Sequence, residues 1–324
     1  MTMSDGERGK RERVAAVQLA TRIADSPANI AGCEKLALSA VAEGARWIAL
    51  PEFFNTGVAW DPKLADAIET ESGPAASFLR EFSARHGVVI GGSFLCRVSG
   101  SGVRNRYLAF AEGALIGRHD KDLPTMWENA FYQGGDPGDT GVLGLYGNVR
   151  VGAAVCWEFM RTMTAARLRN RVDVVMGGSC WWSIPEKILP RLVRDPWERQ
   201  NALSALAAVQ DTARLVGAPV IHAAHCGSIG CPMFGLPLPY YGYYEGNAAV
   251  IDAAGRVIAG RKHGEGEGIV CAEVSLGAVP VTEKIPDGFW LRSRGILPWF
   301  AWHYQRLLGK IWYRRHVARN APGR

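Results

Sequence analysis

The chain has 324 residues, 48% of them hydrophobic and 21% charged, which suffices for a large buried core and argues against global disorder. No segment approaches the roughly 20 consecutive apolar residues that span a bilayer, and the polar residues 1–13 lack the apolar centre of a secretory signal. The seven cysteines are dispersed, with no Cys-x-x-Cys pair, so the sequence indicates reduced thiols in the cytoplasm rather than a disulfide framework or a zinc site.

The first half of the chain alternates predicted strands with predicted helices. Ser26-Pro27 is typical of a helix start, with Ser26 as the N-cap and Pro27 at the first helical position, and Gly44 is placed to end that helix. A second helix is expected over residues 73–87. After residue 94 the pattern changes to antiparallel strands joined by glycine-containing turns. The predicted strands of this half begin with residues 14–19, 46–50 and 88–94.

The second half continues the alternation. An apolar run over residues 149–155 predicts a buried strand that ends at Cys156, followed by an arginine-rich helix. Residues 195–198, Asp-Pro-Trp-Glu, have the form of a capping box with proline at N1, which predicts a helix from there to Gly217. Residues 227–246 are expected to form a long loop rich in glycine and aromatic residues, which is either a binding loop or an ordinary surface loop. The other predicted strands cover residues 172–179, 219–223 and 247–252.

The order of these elements indicates the fold class. Helices that alternate with strands, interrupted by several hairpins, predict an α/β protein with a mixed sheet covered by helices. No internal repeat or linker divides the first 275 residues, so one domain followed by a tail is expected.

Positive charge is concentrated in that C-terminal tail. Removing the eight arginines and lysines of residues 290–324 from the 37 basic residues leaves 29 against 31 acidic ones. The body of the protein is therefore slightly acidic, which argues against nucleic acid as a partner. The tail also contains four tryptophans. It is expected either to lie as a helix in peripheral contact with an anionic membrane surface or to pack on a neighbouring subunit.

Three groups that suit nucleophilic catalysis follow predicted strands. Glu52 follows the strand at residues 46–50, Lys121 lies on the hairpin after residues 106–110, and Cys156 ends its own strand. In open α/β sheets chemistry collects at the carboxyl ends of strands. A carboxylate can take the thiol proton and an ammonium group favours the anions that form, so the three residues predict a thiol-dependent enzyme.

The segments around these residues resemble the nitrilase superfamily of carbon–nitrogen hydrolases. They read Ala-Leu-Pro-Glu-Phe at Glu52, Arg-His-Asp-Lys-Asp-Leu-Pro-Thr at Lys121 and Ala-Val-Cys-Trp-Glu at Cys156. The resemblance implies a nitrilase-like domain over residues 13–280, and it leaves residues 281–324 as the basic, tryptophan-rich tail.

The resemblance also implies a fold and a set of roles. The family fold is an α-β-β-α sandwich whose members commonly form homo-oligomers through helix-packed dimers. Cys156 would be the nucleophile, Glu52 the general base and then acid, and Lys121 the cation that stabilises the tetrahedral intermediate. Glu128 would position substrate beside the lysine, and the backbone N–H of Trp157 would complete the oxyanion site. No metal is expected from the spacing of the cysteines, and no cofactor is expected; the sequence has no phosphate loop or dinucleotide fingerprint, which argues against a nucleotide-dependent reaction.

The substrate class follows less directly from the sequence. A small amide is the favoured substrate because amidases are the broader group, and the reaction would release ammonia or an amine through a cysteine thioester. A nitrile is the alternative, because Cys156-Trp157-Glu158 is similar to the true nitrilases, although Phe159 stands where those usually have histidine. Trp181 and Trp182 are expected either to form an apolar wall of the substrate pocket or to belong to the core.

Two other hypotheses compete with that of a carbon–nitrogen hydrolase. In the first, the chain would be an inactive scaffold of the same fold that acts as a binding module, although all three catalytic residue types are present. Alternatively, His222 or His225, which follow a predicted strand, would serve as the base for a cysteine–histidine hydrolase, but Glu52 and Lys121 would then be unexplained.

Overall fold

The structure is a computed structural model that describes residues 10–187, 190–292 and 296–318. Its helices are α1 (Ser26–Ala42), α2 (Pro74–His86), α3 (Thr162–Leu168), α4 (Arg191–Val216) and α5 (Ile296–His316). Its strands are β1 (Arg11–Ala20), β2 (Trp47–Ala49), β3 (Glu69–Thr70), β4 (Val89–Val98), β5 (Gly102–Ala111), β6 (Ala114–Asp120), β7 (Val142–Tyr146), β8 (Val149–Val155), β9 (Val174–Ser179), β10 (Val220–Cys226), β11 (Ser228–Pro232), β12 (Pro239–Tyr243), β13 (Gly246–Ile251), β14 (Val257–Lys262) and β15 (Gly268–Ser275). Single 3-10 turns span Pro62–Ala65, Met126–Ala130, Cys156–Met160 and His263–Glu265.

Thirteen of the described strands form one hydrogen-bonded sheet that folds into two leaves. The first leaf runs β6-β5-β4-β2-β1, with β15 beside β1 and β3 beside β4. The second runs β10-β9-β8-β7, with β13 and β14 beside β10. The leaves join where β1 pairs in parallel with β10 over residues 18–20 and 224–226. Strands β2 and β4 contact β9 without pairing with it, and β6 contacts β8, so the leaves lie face to face.

Helices cover the outer faces of both leaves, which confirms the predicted α-β-β-α sandwich. Helices α1 and α2 contact the first leaf, and α3 packs on α4, which contacts β10 and β13. Side chains of β1 alternate between its two faces, and both faces are buried, which explains this arrangement. Val14 and Ala16 pack in the cluster shared with the second leaf, whereas Ala15 and Val17 pack against the helices of the first.

The ends of the first two helices follow their local sequence. Gly44 and Gly87 have φ of +82° and +60°, the left-handed conformation that a helix-ending glycine adopts readily. The predicted N-cap of α1 was wrong by one residue. Asp25 accepts the hydrogen bond from the Ala28 backbone N–H at 3.2 Å, whereas the Ser26 hydroxyl donates to Glu69 at 2.8 Å and ties α1 to the segment before α2.

Helix α4 begins earlier than its sequence predicts. It starts at Arg191, so Pro196 lies inside the helix rather than at N1. The predicted capping box was wrong because Glu198 bonds tertiary partners instead: its carboxylate accepts from the Ile184 backbone N–H at 2.6 Å and from the Tyr243 hydroxyl at 2.8 Å. The predicted end of the helix at Gly217 is confirmed by a φ of +77°.

The predicted long loop at residues 227–246 contains an ordered hairpin. Strands β11 and β12 pair in antiparallel register from Ser228 with Tyr243 to Pro232 with Pro239. Tyr240 is 3% exposed and packs in the same hydrophobic cluster as Phe234. The aromatic residues of this segment therefore anchor a small second sheet.

Helix α5 packs the C-terminal tail against the segment that follows β6. It packs on the Met126–Ala130 turn, where a Cβ on Gly309 would lie 2.7 Å from Asn129 Cβ. The Tyr313 hydroxyl accepts from the Val103 backbone N–H at 3.1 Å. Among the described residues, no helix combines the length and the apolar character that crossing a bilayer requires.

Candidate active site

Glu52, Lys121 and Cys156 lie just beyond the ends of β2, β6 and β8. All three are buried, with Cys156 the most exposed at 2%. The strand ends converge because β2 and β6 belong to the first leaf and β8 to the second, and the leaves face each other. The structure therefore brings together three side chains that are separated by 69 and 35 positions in the sequence.

Left-handed backbone conformations occur beside Glu52, at Cys156 and in the turn that carries Glu128. Phe53, Met126 and Cys156 have φ of +51°, +48° and +53°, a left-handed conformation that is uncommon for residues with a side chain. They are three of the seven non-glycine residues with positive φ in the described chain. Such strain persists only where the surrounding structure enforces it, and it concentrates at functional sites.

Lys121 is the centre of the polar cluster. Its ammonium Nζ lies 2.8 Å from Glu52 Oε1, 2.7 Å from Glu128 Oε2 and 3.3 Å from Thr125 Oγ1. Burial disfavours the charged ammonium, but Glu128 and Glu52 outweigh that effect and raise the pKa of Lys121 well above its ordinary value. Lys121 is therefore a permanent cation between two carboxyl groups.

Glu128 is held by more than the lysine. The Tyr132 hydroxyl donates to its Oε2, and the Thr125 backbone N–H donates to the same atom at 2.8 Å. Burial, opposed by the Lys121 charge and reinforced by that of Glu52, raises the pKa of Glu128 to about 7. A carboxyl with that pKa can hold or release a proton near neutral pH.

Glu52 is oriented from three sides. Asn105 Nδ2 donates to Oε1 at 2.9 Å beside the lysine, and the Cys180 backbone N–H donates to Oε2 at 3.0 Å. Strand β9 approaches the backbone of Glu52 closely because it has glycine at residue 178, where a Cβ would lie 2.9 Å from the Glu52 backbone nitrogen.

The resting state of Cys156 is a neutral thiol. Burial and the charge of Glu52 raise its pKa well above the ordinary value, against the opposing effects of Lys121 and the Cys180 backbone N–H. The thiolate must therefore form as the proton passes to a base during attack, and Glu52 is the candidate base because its charge has the largest effect of any charged group on the pKa of the thiol.

Glu158 ties the end of β8 to the end of β6. Its carboxylate accepts from the Val155 backbone N–H at 2.8 Å, from the Asp122 backbone N–H at 2.9 Å and from His119 Nε2 at 2.9 Å. His119 Nδ1 lies 2.8 Å from Asp139. Burial lowers the pKa of His119, but Glu158 and Asp139 outweigh burial and raise it to about 10. A buried imidazolium thus fixes the segments of Lys121 and Cys156 relative to each other.

The predicted aromatic wall divides between two sides of the site. The Trp157 and Trp181 ring centroids are 6.1 Å apart, and both rings belong to the core cluster between the leaves. Trp182 turns the other way, with its ring centroid 4.3 Å from that of Trp127 and its Nε1 donating to the Val58 carbonyl at 3.3 Å.

Neither histidine of the competing cysteine–histidine hypothesis forms a hydrogen bond with Cys156. His222 Nε2 lies 2.8 Å from Ser179 Oγ, and His225 Nε2 donates to the Glu52 carbonyl oxygen at 2.6 Å. Burial lowers the pKa of both imidazoles to about 4, so they are neutral. His225 instead supports the backbone of the candidate base.

Sequence reasoning missed several supporting residues. The Thr-x-x-Glu spacing of Thr125 and Glu128 has the form of a capping box and would have identified the turn, which the structure shows. Asn105 and Tyr132 carry no comparable local signal, because their partners are distant or lie in a fold-dependent turn. Within the part of the chain that the structure describes, no group of three His, Cys, Asp or Glu side chains is arranged to hold a metal ion.

Comparison with known proteins agrees with this geometry. The sequence model of the carbon-nitrogen hydrolase family matches residues 13–283. A bifunctional nitrilase/nitrile hydratase of Nicotiana tabacum is 24% identical over 311 residues, covering 86% of this chain and 82% of its own.

Solved structures show the same fold. A carbon-nitrogen hydrolase from Helicobacter pylori has a TM-score of 0.68 at 15% identity, covering 97% of this chain and 96% of its own. A double mutant of an amidase from Nesterenkonia sp. AN1, in complex with acrylamide, has a TM-score of 0.61 at 18% identity, covering 84% of this chain and 93% of its own. With the family model covering most of its length, this chain belongs to the carbon-nitrogen hydrolase family, within the nitrilase superfamily, and is a carbon–nitrogen hydrolase enzyme.

Proposed function

We propose that this enzyme hydrolyses the carbon–nitrogen bond of a small amide through a thioester on Cys156. The observation that carries the proposal is the buried ammonium of Lys121, held 2.8 Å from Glu52 and 2.7 Å from Glu128 beside the thiol. A fixed cation at the end of a strand supplies what a developing oxyanion needs, without reorganisation at the moment of reaction. The Nesterenkonia amidase structures with bound acrylamide and butyramide support an amide as the substrate class.

Acylation begins from the neutral thiol. Glu52 takes the Sγ proton as sulfur attacks the amide carbon, and the carbonyl oxygen becomes an oxyanion that Lys121 stabilises. The backbone N–H of Trp157 is the second expected donor to that oxyanion. As the tetrahedral intermediate collapses, the carbon–nitrogen bond breaks and the leaving nitrogen takes the proton from Glu52. Ammonia or an amine departs, and the acyl group remains on Cys156.

Deacylation uses the same groups in the reverse order. Glu52 takes a proton from water, the hydroxide adds to the thioester, and a second oxyanion forms beside Lys121. Collapse breaks the carbon–sulfur bond, and the proton returns from Glu52 to sulfur. Glu128, fixed by Tyr132 and Thr125, is expected to position the substrate nitrogen or the water through its lysine contact.

A nitrile is the second candidate substrate. The Cys156-Trp157-Glu158 triplet and the similarity to the tobacco nitrilase/nitrile hydratase favour it. Attack on a nitrile would place the negative charge on nitrogen, so it would need a proton donor near that atom, and Glu128 with its raised pKa suits that role.

Burial of the site favours a small substrate. The thiol is 2% exposed, and Trp157 and Trp181 lie in the core beside it. These two side chains are the proposed apolar wall, whereas Trp182 is proposed to support the wall through its contact with Trp127. The cytoplasm is the expected compartment, because all seven cysteines are free thiols. A homo-oligomer is expected from the family resemblance alone.

The first experiment is an ammonia assay on matched panels of aliphatic and aromatic amides and nitriles, with Cys156→Ala as the control. Release from amides that is absent in the variant supports the proposal, and release only from nitriles replaces it with the second candidate. A protein that is silent on both panels and whose Cys156 resists alkylation would be the inactive scaffold.

A further inference from the structure

A cavity of about 210 Å³ lies between helix α5 and residues 123–134. One wall is the segment that carries Glu128, because Asn129 and Tyr132 line the cavity. The opposite wall is the face of α5 that contains Trp302 and Tyr313. Glu52, Lys121 and Cys156 do not line it, so the cavity is separate from the catalytic cluster.

Three cations on α5 also line this cavity. Arg306, Lys310 and Arg314 are spaced by four residues, which places them in one row along the helix. Among the residues that the structure describes, no aspartate or glutamate lines the cavity, and the sequence of residues 290–318 contains none. Like charges at this spacing destabilise a helix, so the row is unfavourable unless a negative group neutralises it.

The contrast with other arginines is informative. Arg161, Arg150 and Arg292 each have a carboxylate partner, in Asp122, Asp173 and Asp211 respectively. Among residues 10–187, 190–292 and 296–318, the structure records no ion pair for the three cations of α5. Partial burial and the positive charges of Arg306 and Arg314 lower the pKa of Lys310.

We propose that this cavity binds a phosphate-type oxyanion through Arg306, Lys310 and Arg314. Guanidinium groups bind phosphate oxygens through paired N–H donors, and the ammonium adds a compact charge. The volume is that of about seven water molecules at ~30 Å³ each. It is enough for a phosphate group together with some of its water molecules, or together with part of the small molecule that carries it.

Free phosphate and a phospholipid headgroup share this chemistry. The headgroup source has its own support, since Phe300, Leu307 and Ile311 are exposed on the adjoining face of α5. Such an arrangement of apolar and basic residues is typical of helices at anionic membrane surfaces. The site would then explain the membrane contact predicted from the composition of the tail.

The test measures binding directly and does not depend on activity. Inorganic phosphate is titrated by calorimetry into the full-length protein at constant ionic strength, with chloride replaced. In parallel, the protein is sedimented with phosphatidylglycerol or phosphatidylcholine vesicles. Lys310→Gln and Arg314→Gln are compared with Arg315→Gln, an exposed cation on the same helix that does not line the cavity. Cys156→Ala should bind like the wild type, which separates this site from the proposed reaction.

The expected result is that Lys310→Gln and Arg314→Gln each weaken binding about tenfold, whereas Arg315→Gln changes it little. If the two cavity variants lose binding of inorganic phosphate, the ligand is a free anion. If they lose only the binding to phosphatidylglycerol vesicles, the ligand is a lipid headgroup. Binding of neither probe overturns the proposal, as does equal binding by the wild type and both cavity variants. Circular dichroism establishes that these surface variants are folded.

Discussion

At the scale of single residues, Glu158 holds two segments of the candidate active site together. It is fully buried and accepts hydrogen bonds from the backbone on both sides of the site and from the His119 imidazolium. Burial opposes ionisation of Glu158, but His119 and Arg167 outweigh it and lower its pKa. The pair is therefore ionised at neutral pH, and removing one partner leaves a charge in the core.

We expect Glu158→Gln to lower the free energy of unfolding by about 3 kcal/mol, because His119 keeps its charge with only Asp139 to balance it. Urea unfolding measures the change. Glu112→Gln, at an exposed carboxylate bonded to Tyr146, should change stability by less than about 0.5 kcal/mol. Equal urea midpoints for wild type and Glu158→Gln would show that this pair does not stabilise the site.

Glu245 gives the protein a specific dependence of stability on pH. Burial, a hydrogen bond with Glu198 and the charge of Glu198 raise its pKa from 4.5 to about 9. The folded protein therefore keeps a proton that the unfolded chain loses above its ordinary pKa. Stability from this group is present below that pKa and is lost as the pH rises toward 9, by up to about 1.4 kcal/mol per pH unit.

Glu245→Gln removes this titration while keeping an amide near Asn201, whose Nδ2 donates to Glu245 Oε1 at 2.5 Å. We expect the variant to lose less stability than the wild type between about pH 5 and about pH 9. Urea unfolding across that range is the measurement, and Glu81→Gln at an exposed site should follow the wild type. Parallel curves for the wild type and Glu245→Gln would contradict the assignment.

At the scale of elements, the close approach of β9 to the Pro51-Glu52 segment controls the position of the candidate base. A Cβ on Gly178 would lie 2.7 Å from the Pro51 Cα and 2.9 Å from the Glu52 nitrogen, and both are backbone atoms that cannot rotate away. We expect Gly178→Ala to shift Glu52 and lower kcat about tenfold or more, with a smaller effect on KM.

Steady-state kinetics on the substrate that the amide and nitrile panels identify measures this effect. Gly264→Ala is the matched control, because a Cβ there would meet no atom within 4 Å. A normal kcat for Gly178→Ala would show that the two leaves can move apart to accommodate the added methyl group without displacing Glu52.

Element boundaries show how far local sequence determines structure. Gly44, Gly87 and Gly217 end their helices as predicted, because a left-handed C′ residue is a local requirement. The predicted start of α4 was wrong. Residues 195–198 have the pattern of a capping box, but Glu198 accepts hydrogen bonds from Ile184 and Tyr243 instead of capping the helix. A side chain with a distant partner gives no sign of that partner in its own window of sequence.

At the scale of the whole molecule, helix α4 has an outer face without a described partner in the monomer. Leu192 is 91% exposed and Leu203 61%, and because they are eleven residues apart they lie on the same side of α4. We propose that a second copy of the chain covers this face in a helix-packed dimer, where twofold symmetry would bring the same residues of both copies together.

Light scattering coupled to size-exclusion chromatography should give a dimer for the wild type and a monomer for Leu203→Asp. Leu145→Asp is the control, because Leu145 is similarly exposed, at 65%, on β7. A wild type that elutes as a monomer would contradict the dimer.

The sequence alone identified Glu52, Lys121 and Cys156 as candidates, because each lies at the end of a predicted strand or on a predicted hairpin, and such signals are local. Only the tertiary structure determined how their charges act. The neutral thiol, the permanent cation and the proton on Glu245 all result from burial and from partners far away in the chain. The row of cations on α5 is visible in the sequence, but its position beside a cavity required the packing of that helix on the Met126–Ala130 turn. Solvation and charge pairing depend on the whole fold, so a linear pattern predicts the groups and the fold sets their chemistry.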